Sequence, residues 1–93
     1  MSQQSSRLNI KIDDEELKGR YSNVLRVAHT REEFILDFIN LLPPQGAVTA
    51  RVITGPGHLK RIYRALGSAL EAYERAHGAI QEAADPGAGG NVH

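Results

Sequence analysis

The chain has no cysteine and no tryptophan, and a single methionine. With no thiol, neither a disulfide nor a thiolate zinc site can brace the fold. A fold of 93 residues sits near the size at which one hydrophobic core is only just sufficient. Oligomerisation is a common remedy for such a deficit. No apolar run approaches membrane-spanning length. The opening MSQQSSR has no apolar stretch of the signal-peptide kind. Together with the missing cysteine this leads us to expect a soluble cytoplasmic protein without membrane association.

Charge of either sign is also missing in the net. Eleven basic and eleven acidic side chains cancel, which argues against a generic polyanion binder. Their distribution is less even. Asp13, Asp14, Glu15 and Glu16 form one acidic run, while no acid occurs between Asp37 and Glu71. Arg51, Lys60, Arg61 and Arg64 fall in that acid-free stretch. Such segregation most simply describes two solvated faces.

What is present is hydrophobic patterning. Residues 1–6 are polar and aperiodic and are expected to be a disordered tail. RLNIKID then alternates, with Leu8, Ile10 and Ile12 on one side, the pattern of a half-buried strand. DDEELKG ends that run with like charges and Gly19, giving a loop or a single helical turn. RYSNVLRVAH predicts a second strand, with Tyr21, Leu25 and Val27 on one face and Val24, Arg26 and Ala28 on the other.

The segment HTREEFILDFINLLPPQG carries two opposed signals. Thr30 and Glu33 form a capping box, which announces a helix. Phe34, Ile35, Leu36, Phe38 and Ile39 form an aromatic and β-branched run, which announces a strand. As a helix the segment would be apolar nearly all round and stopped at once by Pro43 and Pro44. As a strand it has high propensity and a suitable length, with HTREE as a hairpin turn. The strand is the better reading. LPPQG is then a turn, and AVTARVITG a fourth strand.

From Pro56 the period changes. Leu59, Ile62, Tyr63, Leu66, Leu70 and Tyr73 recur at three and four, a continuous helical stripe. Pro56 suits the first helical position, with Gly55 as a weak N-cap and Gly78 as the stop. Glu71 and Arg75 are spaced to pair four apart. Residues 79–93 are expected to be a flexible tail. The predicted fold is α+β: residues 7–78 form one domain, a four-stranded antiparallel meander followed by one long amphipathic C-terminal helix. The helix stripe would cover one sheet face. Because FILDF is apolar on both faces, a surplus remains, and a homodimer or higher homo-oligomer is expected. The order of strands then helix resembles that of the SecB-type export chaperone, which by itself confers no function.

GRYSN, HTREEFILDF and ITGPGHLKRIYRAL…AYERAHG together resemble a family of small bacterial and archaeal proteins known only as a domain of unknown function. Its hallmarks are an LDF motif and an MSP motif that opens the last helix. Leu36-Asp37-Phe38 matches the first unchanged; Thr54-Gly55-Pro56 keeps only the proline of the second. The resemblance covers about residues 8–78, supports a strand around LDF, and implies a prokaryotic origin. It supplies no catalytic residues.

No side-chain set suggests a reaction or a cofactor. The histidines at 29, 58, 77 and 93 lack metal-ligand spacing. The acids are surface runs plus Asp37, which gives a paired-carboxylate mechanism little to stand on. Asp37 has three readings: pairing across strands with Arg26 or Arg51, a buried acid fixing register or a dimer contact, or a general base. Phe34, Leu36, Asp37 and Phe38 are the candidate interface. Arg51, His58, Lys60, Arg61 and Arg64, gathered near a helix N-terminus, are a candidate anion or nucleic-acid contact. The expectation is a non-enzymatic protein-interaction module, chaperone-like or regulatory, with a nucleic-acid- or anion-binding regulator as the alternative.

Overall fold

A computed structural model describes residues 8–86. The expected N-terminal tail and the end of the C-terminal tail lie outside them. The chain forms α1 (Asp14–Lys18), β1 (Val24–His29), β2 (Phe34–Leu42), β3 (Gln45–Thr54) and α2 (Pro56–His77). The sheet is a three-stranded antiparallel meander in the order β1-β2-β3.

The ambiguous segment is the central strand. Thr30 Oγ does accept hydrogen bonds from the Glu32 and Glu33 amides, both at 3.2 Å, the contacts that a helix N-cap would make. Here they tighten the β1–β2 turn, where the Thr30 amide donates to the Glu33 carbonyl at 2.9 Å. The capping signal is therefore real but serves a hairpin. Pairing on both edges then holds the strand, from His29 opposite Phe34 to Val24 opposite Ile39, and from Phe34 opposite Thr54 to Leu42 opposite Gln45. Pro43 and Pro44 make the second turn between Leu42 and Gln45.

One irregularity interrupts β2–β3. Phe38 faces Ala50 and Ile39 faces Val48, so Thr49 is the extra residue of a bulge. Its hydroxyl donates to the Phe38 carbonyl at 3.0 Å, satisfying an acceptor at the point where the ladder slips. At the start of β1, Asn23 substitutes its side chain for backbone pairing. Its amide Nδ2 donates to the Leu41 carbonyl at 3.0 Å and its Oδ1 accepts from the Leu41 amide at 2.8 Å.

Three expectations are corrected. The predicted first strand does not form: residues 8–13 have no regular structure, and Leu8, Ile10 and Ile12 are exposed. Alternation marks only a chain able to pair; here the next residues turn directly into α1 and no strand edge pairs with residues 8–13. The sheet has three strands, so the element order that resembled SecB is not present. Second, α2 does not cover a sheet face. It starts at Gly55, directly after β3, and Gly78 ends it in the left-handed region at φ 94°, its amide donating to the Glu74 carbonyl. Leu59 and Ile62 are half-buried, and no residue of the helix is buried. Nor do Glu71 and Arg75 form an ion pair among the described residues, as the small worth of exposed pairs allows.

The core is correspondingly thin. Among the described residues only Val24, Leu36 and Ile39 are buried apolar side chains. A single sheet layer needs a second layer on at least one face, and within the described part of the chain that layer is incomplete.

Candidate functional site

Two features stand out from this frame, one on each face of the sheet. The first is built around Asp37. Antiparallel register places Arg26 of β1 and Arg51 of β3 directly opposite it, and residues directly opposite in a ladder share a face. Arg51 reaches it through two parallel hydrogen bonds, Nε to Oδ1 at 2.7 Å and Nη2 to Oδ2 at 2.9 Å. Arg26 Nη2 adds a longer contact to Oδ2 at 3.4 Å. The Asp37 side chain is 5% exposed while Arg26 and Arg51 are 56% and 57% exposed. The guanidinium stems thus roof the carboxylate while their own charges meet water.

The Arg51 hydrogen bonds lower the Asp37 pKa; burial opposes them, and the Arg26 contact adds to the lowering. The same pairing raises the already high pKa of Arg51. An acid held ionised, with both oxygens engaged by guanidinium groups, is a poor general base. Two of the three readings of Asp37 merge: it is a buried acid and it pairs across strands, with both arginines at once. Its chemistry is register-fixing. A shift of one residue would move both arginines to the opposite face and leave the acid unpaired.

The second feature is a groove of about 520 Å³ on the other face. Phe34 and Leu36 of β2 form its floor, and Leu59, Ile62, Tyr63 and Leu66 of α2 its wall, with Pro56 and Lys60 at the ends. Phe34 also stacks on His29, ring centroids 5.2 Å apart. Of the candidate interface residues, Phe34 and Leu36 line the groove, Asp37 lies on the opposite face, and Phe38 is half-buried beside Ala50.

The candidate anion cluster does not assemble as a unit. Arg51 is committed to Asp37 on the face away from α2. His58, Lys60, Arg61 and Arg64 stay exposed on the first turns of α2. Among the described residues no group of histidines and acids could hold a metal ion, and no helix is long and apolar enough to cross a membrane. Asn23 and Thr49 were not singled out by the sequence. Asn directly before a β-branched strand was a usable signal for a pairing side chain; nothing in the local pattern marked Thr49 as a bulge.

A family model described as a protein of unknown function, DUF3467, matches residues 1–82. The chain belongs to the DUF3467 family. No curated protein and no solved structure matches it. Membership agrees with the LDF resemblance and assigns no role to any residue of this DUF3467 protein.

Proposed function

We propose that this DUF3467 protein is a non-enzymatic, homo-oligomeric interaction module, regulatory or chaperone-like in role, working in the cytoplasm. The observation that carries the reading is the uncovered helix: α2 runs for 22 residues without a buried side chain. Tyr63, Leu66, Leu70 and Tyr73 are 79%, 61%, 53% and 53% exposed. Isolated exposed apolar residues are ordinary, but a continuous stripe of them marks an interaction surface. The thin core points the same way, since the three buried apolar side chains among the described residues contribute little stability to set against conformational entropy.

Zero net charge removes the general repulsion that would oppose self-association. Thermal unfolding over a hundredfold range of protein concentration tests the reading. An oligomer that folds as it assembles melts higher as concentration rises. A Tm independent of concentration contradicts it.

A second reading rests on a specific observation, the exposed basic start of α2 at His58, Lys60, Arg61 and Arg64, which has no ion pair among the described residues. Under it the module binds a polyanion such as nucleic acid. Affinity should then fall steeply with salt and be lost in the Lys60→Glu, Arg64→Glu double variant. Binding unaffected by either rejects it.

A further inference from the structure

A two-helix repeat runs within the apolar stripe of α2. Leu59, Tyr63, Leu66, Leu70, Tyr73 and His77 are spaced four, three, four, three and four, the 3.5-residue repeat of a two-helix seam, and Ile62 widens the stripe on the side that lines the groove. Its first half forms the wall of the groove over Phe34 and Leu36. Its second half, Leu70, Tyr73 and His77, runs past the groove into solvent, with Tyr73 and His77 rings 4.8 Å apart.

Charge along the same helix is polar in sequence. Residues 56–67 hold Lys60, Arg61 and Arg64 and no acid; residues 68–77 hold Glu71 and Glu74 against Arg75. A parallel pair would set basic half beside basic half. An antiparallel pair sets each basic half beside an acidic-leaning half, and Lys60 and Glu74 occupy equivalent flanking positions of the repeat, the ones that meet across an antiparallel seam. Small residues fall at the crossing point. Gly67 and Ala69 flank the seam around Ser68, and a Cβ at Gly67 would meet nothing within 4 Å. A mid-helix glycine costs about 1 kcal/mol relative to alanine, a loss that close helix approach would offset.

Resting on the homo-oligomer reading above, we infer that the occupant of the groove is the C-terminal half of α2 from a second copy, the two helices crossing antiparallel about a twofold axis near Ser68. Tyr63 then meets the partner's Tyr73, Leu66 meets the partner's Leu70, and the partner's Leu70 and Tyr73 fill the space over Phe34 and Leu36. The contact is isologous: each copy gives the half-helix that the other's groove lacks. Both sheets thereby gain the second layer that neither has alone.

Cysteine pairing tests this placement, because the described residues contain no free cysteine and the sequence contains none at all. Tyr63→Cys and Tyr73→Cys variants are mixed as folded protein, allowed to exchange, and oxidised. The expected result is a covalent species at twice the chain mass in the mixture and almost none from either variant alone. Two copies of position 63 would lie about 15 Å apart along the crossing helices, beyond the roughly 7 Å limit between Cα atoms of a disulfide. Leu66→Cys with Leu70→Cys repeats the test at the central layer, should loss of a tyrosine weaken assembly. A strong Tyr63→Cys self-cross-link means parallel helices and overturns the inference. So does the absence of cross-linking in both mixtures when light scattering shows the native chain to be a dimer, an outcome that leaves the oligomer reading standing. A native chain that is monomeric overturns both.

Discussion

Arg51 grips Asp37 with two parallel hydrogen bonds across the β2–β3 ladder, and it does so over a carboxylate almost wholly shielded from water. Arg26 closes the other side. One acid thus ties all three strands together from the middle strand, which accounts physically for an aspartate inside the most apolar segment of the chain.

Replacing that acid without changing its shape isolates its charge. In Asp37→Asn two guanidinium groups lose their counter-charge, and the melting temperature should fall by several degrees; Asp37→Leu, which removes every polar contact at the site, should fall further. Differential scanning calorimetry at neutral pH checks both. Equal stability of Asp37→Asn and the native chain would remove the ladder from the account.

The same acid sets a pH response. Its folded-state pKa lies below the ordinary 3.8, so its contribution is fully present above that ordinary value and is lost as pH falls through the lowered one. Stability should therefore decline more steeply below about pH 4 in the native chain than in Asp37→Asn. Denaturant midpoints between pH 2 and pH 6 measure the difference, and parallel curves would contradict the assignment.

Asn23 carries a separate prediction. Asn23→Ala strips both partners from the Leu41 amide and carbonyl, and should destabilise the fold by about 1–3 kcal/mol. Asn23→Asp keeps the acceptor but loses the Nδ2 donor, so it should fall between the native chain and the alanine variant. Urea unfolding reads both. Loss of amide-exchange protection at Leu41 alone, with the rest of β2 unchanged, would locate the effect.

Leu70 separates a lone protomer from an assembled one. It is more than half exposed in the single chain, where truncation to alanine should change stability by no more than about 0.5 kcal/mol. Buried in a helix–helix seam, Leu70→Ala should cost about 2 kcal/mol or more. Leu36→Ala, already buried within the protomer, is the internal standard and should cost about 3 kcal/mol. Chemical denaturation of the two variants side by side decides which regime applies to Leu70.

Much of this architecture was legible in the sequence, and the exceptions have physical causes. Pro56, Gly78 and the stripe between them defined α2 because a helix is specified by residues close in sequence. FILDFINLL was readable as a strand because the prolines that follow forbid a useful helix. Leu8, Ile10 and Ile12 alternate just as well, yet form no strand; pairing needs a partner edge, and that is not written in a local pattern. Pairing of Asp37 is one of three readings the sequence allows, and it reads there as a choice between Arg26 and Arg51, because the sequence does not show that β2 is central with one arginine on each side. The bulge at Thr49 was invisible for a related reason: it is a property of the relation between two strands. The largest departure is the uncovered helix. Its amphipathicity states that it must be buried against something, without stating whether that is its own sheet.

Solution mass tests the central claim most directly. Light scattering on the full chain at micromolar concentration should return at least twice 10.2 kDa, and the Leu70→Glu variant should fall to the mass of a single chain or unfold. A native chain that scatters as one copy and still melts cooperatively would contradict the account, because the Leu66–Tyr73 part of its apolar stripe would then be stable while exposed to water.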